Sequence, residues 1–228
     1  MDHRPAVVSH AADFAHVRTW VFDLDNTLYP PRMRLFDQIE VKMTDWVMRN
    51  LALGRTEADR LRASYWRQHG TTLAGLMAEH AIDPWDFLTH VHDLDFSAVT
   101  PEPALTSAIA ALPGRRIVYT NADTIYAERV LAARGLTGLF AAVYGVEHAG
   151  FRPKPERAAF DAVFAADGLD PMSAAMFEDD PRNLAVPHAL GMRTVLVTPD
   201  PIATRHIQHH TTDLAVFLSL LGTAPVTA

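Results

Sequence analysis

Two aspartates, Asp23 and Asp25, stand two residues apart at the end of the apolar run Thr19–Leu24. Residues i and i+2 of an extended chain face the same side, so these carboxylates crowd together where the run gives way to a loop. Two anions that close repel, and one takes up a proton unless a cation lies between them. A divalent metal with oxygen ligands resolves the repulsion, and a carboxylate nucleophile beside a hard cation suits phosphoryl chemistry. Three more suggestive groups follow where strands are expected to end or turn back. They are Thr120-Asn121, Lys154 within Phe151-Arg152-Pro153-Lys154-Pro155, and Glu178-Asp179-Asp180.

Chemistry suggests a division of labour. Asp23 is the candidate nucleophile, attacking phosphorus to form an aspartyl-phosphate. Asp25 is the candidate acid and base, protonating the leaving oxygen and then deprotonating the hydrolytic water. Thr120 and the backbone amide of Asn121 are expected to hydrogen-bond the phosphoryl oxygens. Lys154, at the start of a predicted helix whose positive dipole end also favours an anion, offsets repulsion between nucleophile and substrate. Asp179, with Glu178 directly or through water, completes an oxygen-ligated Mg²⁺ site with Asp23, and the backbone carbonyl of Asp25 is a further expected ligand. Leu24, Asn121 and Tyr29 are the candidate substrate contacts, Tyr29 either touching the substrate or walling the cleft. Each motif alone is weak, since Asp-x-Asp is often a turn and Asp180 can simply cap the following helix. Their ordered recurrence at loop edges is specific.

The elements that must carry these groups are legible as periodicity. Thr19–Leu24 is rich in aromatic and β-branched residues and reads as a buried strand. Beyond Pro30-Pro31 the apolar residues Leu35, Ile39, Met43, Trp46 and Val47 recur at helical spacing. A second helix is expected from Thr56, as N-cap, to about His69, with shorter helices near 73–80 and 84–91. From Pro101 helices (103–112, 123–134, 155–166, 181–190) alternate with strands (116–120, 141–144, 174–178, 194–197), and a last helix covers 212–221. Alternation of this kind predicts a parallel sheet covered on both faces. The fold class is therefore α/β: a Rossmann-like parallel-sheet core of residues 1–31 and 98–228, with an all-helical cap of residues 32–97 inserted after the first strand. Ligands of such sheets bind beyond the carboxyl ends of the strands, so the four motifs meet at one edge. Residues 1–17 show no clear period and read as a loose leader.

Composition narrows the class. The chain has 228 residues, 49% hydrophobic and 21% charged, with a formal net charge of −7. That balance is globular and argues against binding to nucleic acid polymers or anionic membranes. Cysteine is absent, which rules out thiol catalysis, disulfides and cysteine zinc sites and is compatible with a reducing cytoplasm. No signal peptide is evident and no window approaches ~18 uninterrupted apolar residues, so a soluble cytoplasmic protein is expected.

The ordered motifs resemble those of the haloacid dehalogenase superfamily: Asp23-Leu24-Asp25-Asn26-Thr27-Leu28, Thr120-Asn121, Lys154 and Glu178-Asp179-Asp180, over about Thr19 to Val197. The resemblance implies a Rossmann-like core, a helical cap and Mg²⁺. Dehalogenases of that superfamily lack the second aspartate, because no alkoxide needs protonating; Asp25 is present here, which points away from dehalogenation. Mutases keep both aspartates, so transfer to a sugar stays open. The segments 25–30, 69–76 and 151–155 resemble the pyrimidine 5′-nucleotidase branch, which implies hydrolysis of UMP or CMP, small phosphorylated nucleotides, to nucleoside and phosphate. Phosphoglycolate or sugar phosphates as substrates, or a non-catalytic regulatory protein on the same fold, are the alternatives. Gly70 and Gly75 read as turn and packing glycines, Trp46 and Trp66 as core, and the 12 histidines, including the clusters at 90/92 and 206/209/210, as surface groups rather than zinc ligands.

Overall fold

Alternation along β1 (Thr19–Phe22) decides how the two halves of the core are built. Val21 points into one apolar cluster with Ile117, Phe160 and Met176, while Trp20 and Phe22 point into the other with Val118, Phe177 and Leu218. A strand buried on both faces needs no polar alternation, which is why Thr-Trp-Val-Phe suffices. The computed structural model describes residues 10–221. Within it β1, β2 (Arg115–Tyr119), β3 (Ala142–Tyr144), β4 (Ala174–Glu178), β5 (Arg193–Val197) and β6 (His209–Thr211) form one six-stranded sheet in the order β3-β2-β1-β4-β5-β6. Every pair is parallel, and Phe22 lies opposite Val118 on one side and Phe177 on the other. From β1 the chain builds one way to β2 and β3 and the other way to β4 and β5, so a crevice opens beyond the carboxyl end of β1.

Helices α5 (Pro103–Ala110), α6 (Thr124–Ala133) and α9 (Leu214–Leu221) bury Ile109, Val130 and Leu218 on the Phe22 face, whereas α7 (Arg157–Asp167) buries Phe160 and Val163 on the Val21 face. Each such side chain contributes about 1.5–3 kcal/mol relative to exposure. A short α8 (Ala185–Ala189) connects β4 to β5. Four helices fall between β1 and α5: α1 (Leu35–Leu51), α2 (Arg55–His69), α3 (Thr72–His80) and α4 (Pro84–Val91). Their inward residues Trp46, Val47, Tyr65, Leu76 and Phe87 form a third apolar cluster. Gly75 permits the α2–α3 contact, since a Cβ there would lie 2.2 Å from Cγ of Tyr65.

Several sequence expectations need correction. Residues 10–14 form a 3-10 turn that buries Phe14 against Trp20, with ring centroids 6.0 Å apart; the rest of the expected leader, residues 1–9, lies outside the described residues. Helix α2 is capped by Gly54, not Thr56, because the carbonyl of Gly54 already accepts from Glu57 N and Ala58 N at 3.1 and 2.9 Å. The helix expected over 181–190 begins as a 3-10 turn, Pro181–Leu184, before α8; Pro187 has no N–H to return to Asn183. Strand β6 adds to the expected strands; its three residues, His209-His210-Thr211, are polar and carry no apolar run to mark it. Among the described residues, no helix is long and apolar enough to cross a membrane.

Candidate active site

The end of β1 is anchored before any side chain is considered. Asp23 N donates to Phe177 O at 2.9 Å, so Asp23 leaves the sheet beside the carboxyl end of β4. Its Oδ1 accepts from Lys154 Nζ at 2.7 Å, and the same ammonium donates to Glu178 Oε2 at 2.6 Å and Tyr119 O at 3.1 Å. Lys154 is 1% exposed. Its backbone is clamped by Asn121, whose Nδ2 donates to Lys154 O at 3.1 Å while Lys154 N donates to Oδ1 at 2.7 Å. The side chain of Asn121 thus positions the lysine turn, a use that the sequence reading, concerned with its backbone amide, did not include. Lys154 itself sits three residues before α7 rather than at its first turn.

Three carboxylates converge here. Ligand oxygens of Asp23, Glu178 and Asp179 all lie within 4.8 Å of one another. Burial, reinforced by repulsion from Glu178, pushes the Asp23 carboxyl up to about 8, with Lys154 opposing. Burial and the charges of Glu178 and Asp23 push Asp179 up to about 10. Burial alone would lower Lys154, but Asp23 and Glu178 hold it above its ordinary value. One ammonium among three acids leaves the cluster short of positive charge, and its hard oxygen donors suit Mg²⁺. Asp180 turns away: its carboxylate accepts from Arg182 N at 2.9 Å and Arg182 Nη2 at 2.6 Å, capping the turn that follows β4.

The carboxylate of Asp25 stands apart from that cluster. Its Oδ1 accepts from Tyr29 Oη at 2.7 Å and Tyr126 Oη at 2.8 Å. Burial raises the Asp25 carboxyl above its ordinary range, and the two hydroxyls partly offset this. Tyr29 is fully buried in the core cluster and holds Asp25 through its hydroxyl, without itself lining the cavity above these groups. Leu24 is buried as completely, leaving only its backbone for any substrate contact. Thr120, 1% exposed, lines the cleft and accepts from Ala122 N at 3.0 Å through Oγ1.

A cavity of about 320 Å³ opens above these groups, with Asp23, Asp25, Thr120, Asn121, Glu178 and Asp179 as its floor. Its roof is largely apolar, from Phe36, Ile39 and Met43 of α1, Trp66 of α2, and Phe87 and Val91 of α4. Gly70, at φ +84°, closes one side; a Cβ there would sit 3.3 Å from Cγ of Pro153. Trp66 was expected in the core but is 49% exposed, with the Arg182 guanidinium 3.6 Å from its ring centroid. Ala58 and Tyr65 mark the inward stripe of α2, and the residue after Tyr65 is rotated ~100° off it. His92, expected at the surface, is buried at the end of α4 and bonded through Nδ1 to Asp123, with its ring stacked 4.2 Å from that of Tyr126. Burial would raise Asp123, but the bond from His92 holds it below the ordinary carboxylate range. The other histidine cluster serves the backbone: His206 Nε2 lies 3.0 Å from Pro181 O and His210 Nε2 2.7 Å from Thr198 O.

A parallel sheet whose central strand ends at a lysine-bridged acidic cluster defines an α/β enzyme core. Residues 17–191 match the haloacid dehalogenase-like hydrolase family, and the chain belongs to it. Phosphate metabolism protein 8 of Saccharomyces cerevisiae is 25% identical over 183 residues, 72% of this chain; the chain spans about half, 56%, of that relative's length. Among solved structures, the HAD phosphatase of Thermococcus onnurineus superposes with a TM-score of 0.61 at 16% identity, covering 90% of this chain and 98% of that one. The magnesium-bound HAD hydrolase YfnB of Bacillus subtilis gives 0.58 at 16% identity and the same coverages. The L-2-haloacid dehalogenase of Xanthobacter autotrophicus gives 0.56 at 18% identity, covering 91% and 100%. At these identities the structural likeness concerns the fold.

Proposed function

We propose that this protein is a Mg²⁺-dependent phosphomonoester hydrolase acting through an aspartyl-phosphate on Asp23, with the pyrimidine nucleotides UMP and CMP as substrates. One observation carries the reading: Asp23 and Asp25 occupy different environments. Asp23 faces Lys154 in the acidic cluster, whereas Asp25 is held by two tyrosine hydroxyls outside it. A nucleophile and an acid need that separation. An Asp23 oxygen forms the bond to phosphorus as the ester P–O bond breaks, and Asp25 gives its proton to the departing oxygen. Asp25 then takes a proton from water, which attacks the phosphorus and returns Asp23 as carboxylate. Lys154 and Thr120 hold the phosphoryl oxygens. Asp23, Asp179, the carbonyl of Asp25, and Glu178 directly or through water would hold Mg²⁺, which would supply charge neutralisation at phosphorus.

Residues 32–97 act as the cap that selects the leaving group. The half-exposed Trp66 offers an aromatic face for a base, and the cavity admits a single small ester. The name of the yeast relative concerns phosphate metabolism and one structural neighbour is described as a phosphatase; both agree with phosphate ester chemistry. A halide leaving group would need no proton from Asp25, which favours an ester over a haloacid. The cysteine-free chain suits work in the cytoplasm. The test is phosphate release from UMP, CMP, dUMP, AMP, GMP, phosphoglycolate and glucose phosphates, with and without Mg²⁺. Selective Mg²⁺-dependent release from the pyrimidine nucleotides is expected. Release only from the other esters would discard the nucleotide assignment, and release from none would overturn the hydrolase reading.

A further inference from the structure

The oxygens of Asp25 are not equivalent. Oδ1 accepts two hydroxyl hydrogen bonds, from Tyr29 at 2.7 Å and Tyr126 at 2.8 Å, while Oδ2 takes none among the described residues. A carboxyl oxygen accepting two O–H donors has its lone pairs engaged, so a proton on this carboxyl belongs on Oδ2. Asp25 lines the floor of the cavity. Neither tyrosine has to touch a ligand to have this effect.

Tyr126 is itself held in place. Its backbone N donates to Asp123 Oδ1 at 2.8 Å, and its ring lies against the ring of His92, 4.2 Å away with 15° between planes. His92 bonds Asp123 Oδ2 through Nδ1, so one carboxylate fixes both the start of α6 and the stacked imidazole. His92 comes from the end of α4, and its carbonyl accepts from Arg129 Nη1 at 2.9 Å. A continuous set of contacts therefore runs from α4, through His92, Asp123 and Tyr126, to Asp25. Sequence separates these groups by as much as 101 residues.

We propose that Tyr29 and Tyr126 select Oδ2 as the proton-carrying oxygen of Asp25, and that His92 is a positioning residue tying this selection to the seating of α4 on the core. The inference rests on the reading of Asp25 as the acid. The step it serves moves the Oδ2 proton to the ester oxygen as the P–O bond breaks and the Asp23–phosphorus bond forms. Oδ2 is then left as the carboxylate oxygen that faces water.

The test compares kcat/KM for two aryl-bearing esters, benzyl phosphate and p-nitrophenyl phosphate, in the full-length protein with Mg²⁺. The benzyl alkoxide needs a proton to depart; the nitrophenolate does not. General acid catalysis is worth about 10²–10⁴-fold. Tyr126→Phe and Tyr29→Phe, each losing one of the two hydroxyls, should lower kcat/KM for benzyl phosphate about tenfold more than for p-nitrophenyl phosphate. His92→Ala should show the same selective loss, partly restored in His92→Asn. An equal fall on both esters in the two phenylalanine variants would overturn the proposal. If Tyr126→Phe does not fold, Tyr29→Phe decides alone. Asp25→Asn separates the two layers: if it lacks the selective loss, the acid assignment fails, whereas selectivity there without it in the tyrosine variants refutes only this inference.

Discussion

Replacing Lys154 by methionine removes the ammonium and keeps most of the volume of the stem. The ammonium lies 2.7 Å from Asp23 and 2.6 Å from Glu178. At an effective dielectric constant near 20 each contact amounts to roughly 6 kcal/mol of Coulomb attraction, against several kcal/mol to desolvate each ion. Breaking a buried pair by removing one partner costs about 3–5 kcal/mol, because a charge stays behind unpaired. Loss of one preorganised charge at a reacting centre costs about 10²–10³ in kcat. Both effects act here. Without Lys154 the metal-free Asp23 carboxyl, already pushed up by burial and by Glu178, rises further. Lys154→Met should therefore lower kcat/KM at least ~10²-fold and reduce unfolding free energy by about 3–5 kcal/mol at pH 8. The stability deficit should shrink toward pH 5. The folded variant takes up protons on carboxyls that are still ionised in the unfolded chain, so its stability rises as pH falls. Phosphate-release kinetics and urea unfolding at the two pH values measure this. A rate within about threefold of wild type, with unchanged stability, would remove Lys154 from the site.

Other outcomes follow from the same geometry. Asp23→Asn should abolish turnover while leaving the circular dichroism spectrum unchanged, since the amide has the same shape and is a poor nucleophile; retained turnover would sink the mechanism. Added Mg²⁺ should raise Tm, and more at pH 9 than at pH 6, because Asp23 and Asp179, held up to about 8 and about 10, must lose protons to bind it. An equal shift at both pH values would contradict that coupling. Without metal, stability should fall as pH rises from the ordinary carboxylate range through about 8, since the folded state keeps protons that the unfolded chain has released. Gly75→Ala places a methyl 2.2 Å from Tyr65 Cγ and should cost about 1–3 kcal/mol by overpacking, read as a lower urea midpoint; a neutral result would show that α2 and α3 shift apart freely.

The parallel sheet was legible because strand and helix periods differ and β1, β2, β4 and β5 are short, mostly apolar runs, each followed by a polar residue. Asp23, Thr120 and Glu178 were placed at strand ends by that logic alone, and the structure puts them at one edge with Lys154. What failed was local and weakly patterned. Three polar residues form β6 only because β5 offers an open edge, and Gly54 rather than Thr56 begins α2 because its carbonyl takes the first helical bonds.

Side-chain partnership was the larger gap. Nothing local distinguishes Tyr29 as a donor to Asp25, Asn121 as the clamp on Lys154, or His92 as the buried partner of Asp123. Each pairing joins groups whose orientation depends on how helices α1–α4 and α6 pack, and hydrogen bonds require angles and distances that spacing along a chain does not specify. Sequence by itself determined which chemical groups this protein possesses and the strand ends that carry them, since backbone periodicity is a local property. Only the tertiary structure decided which group faces which, because burial and long-range packing set the direction of every side chain in the site.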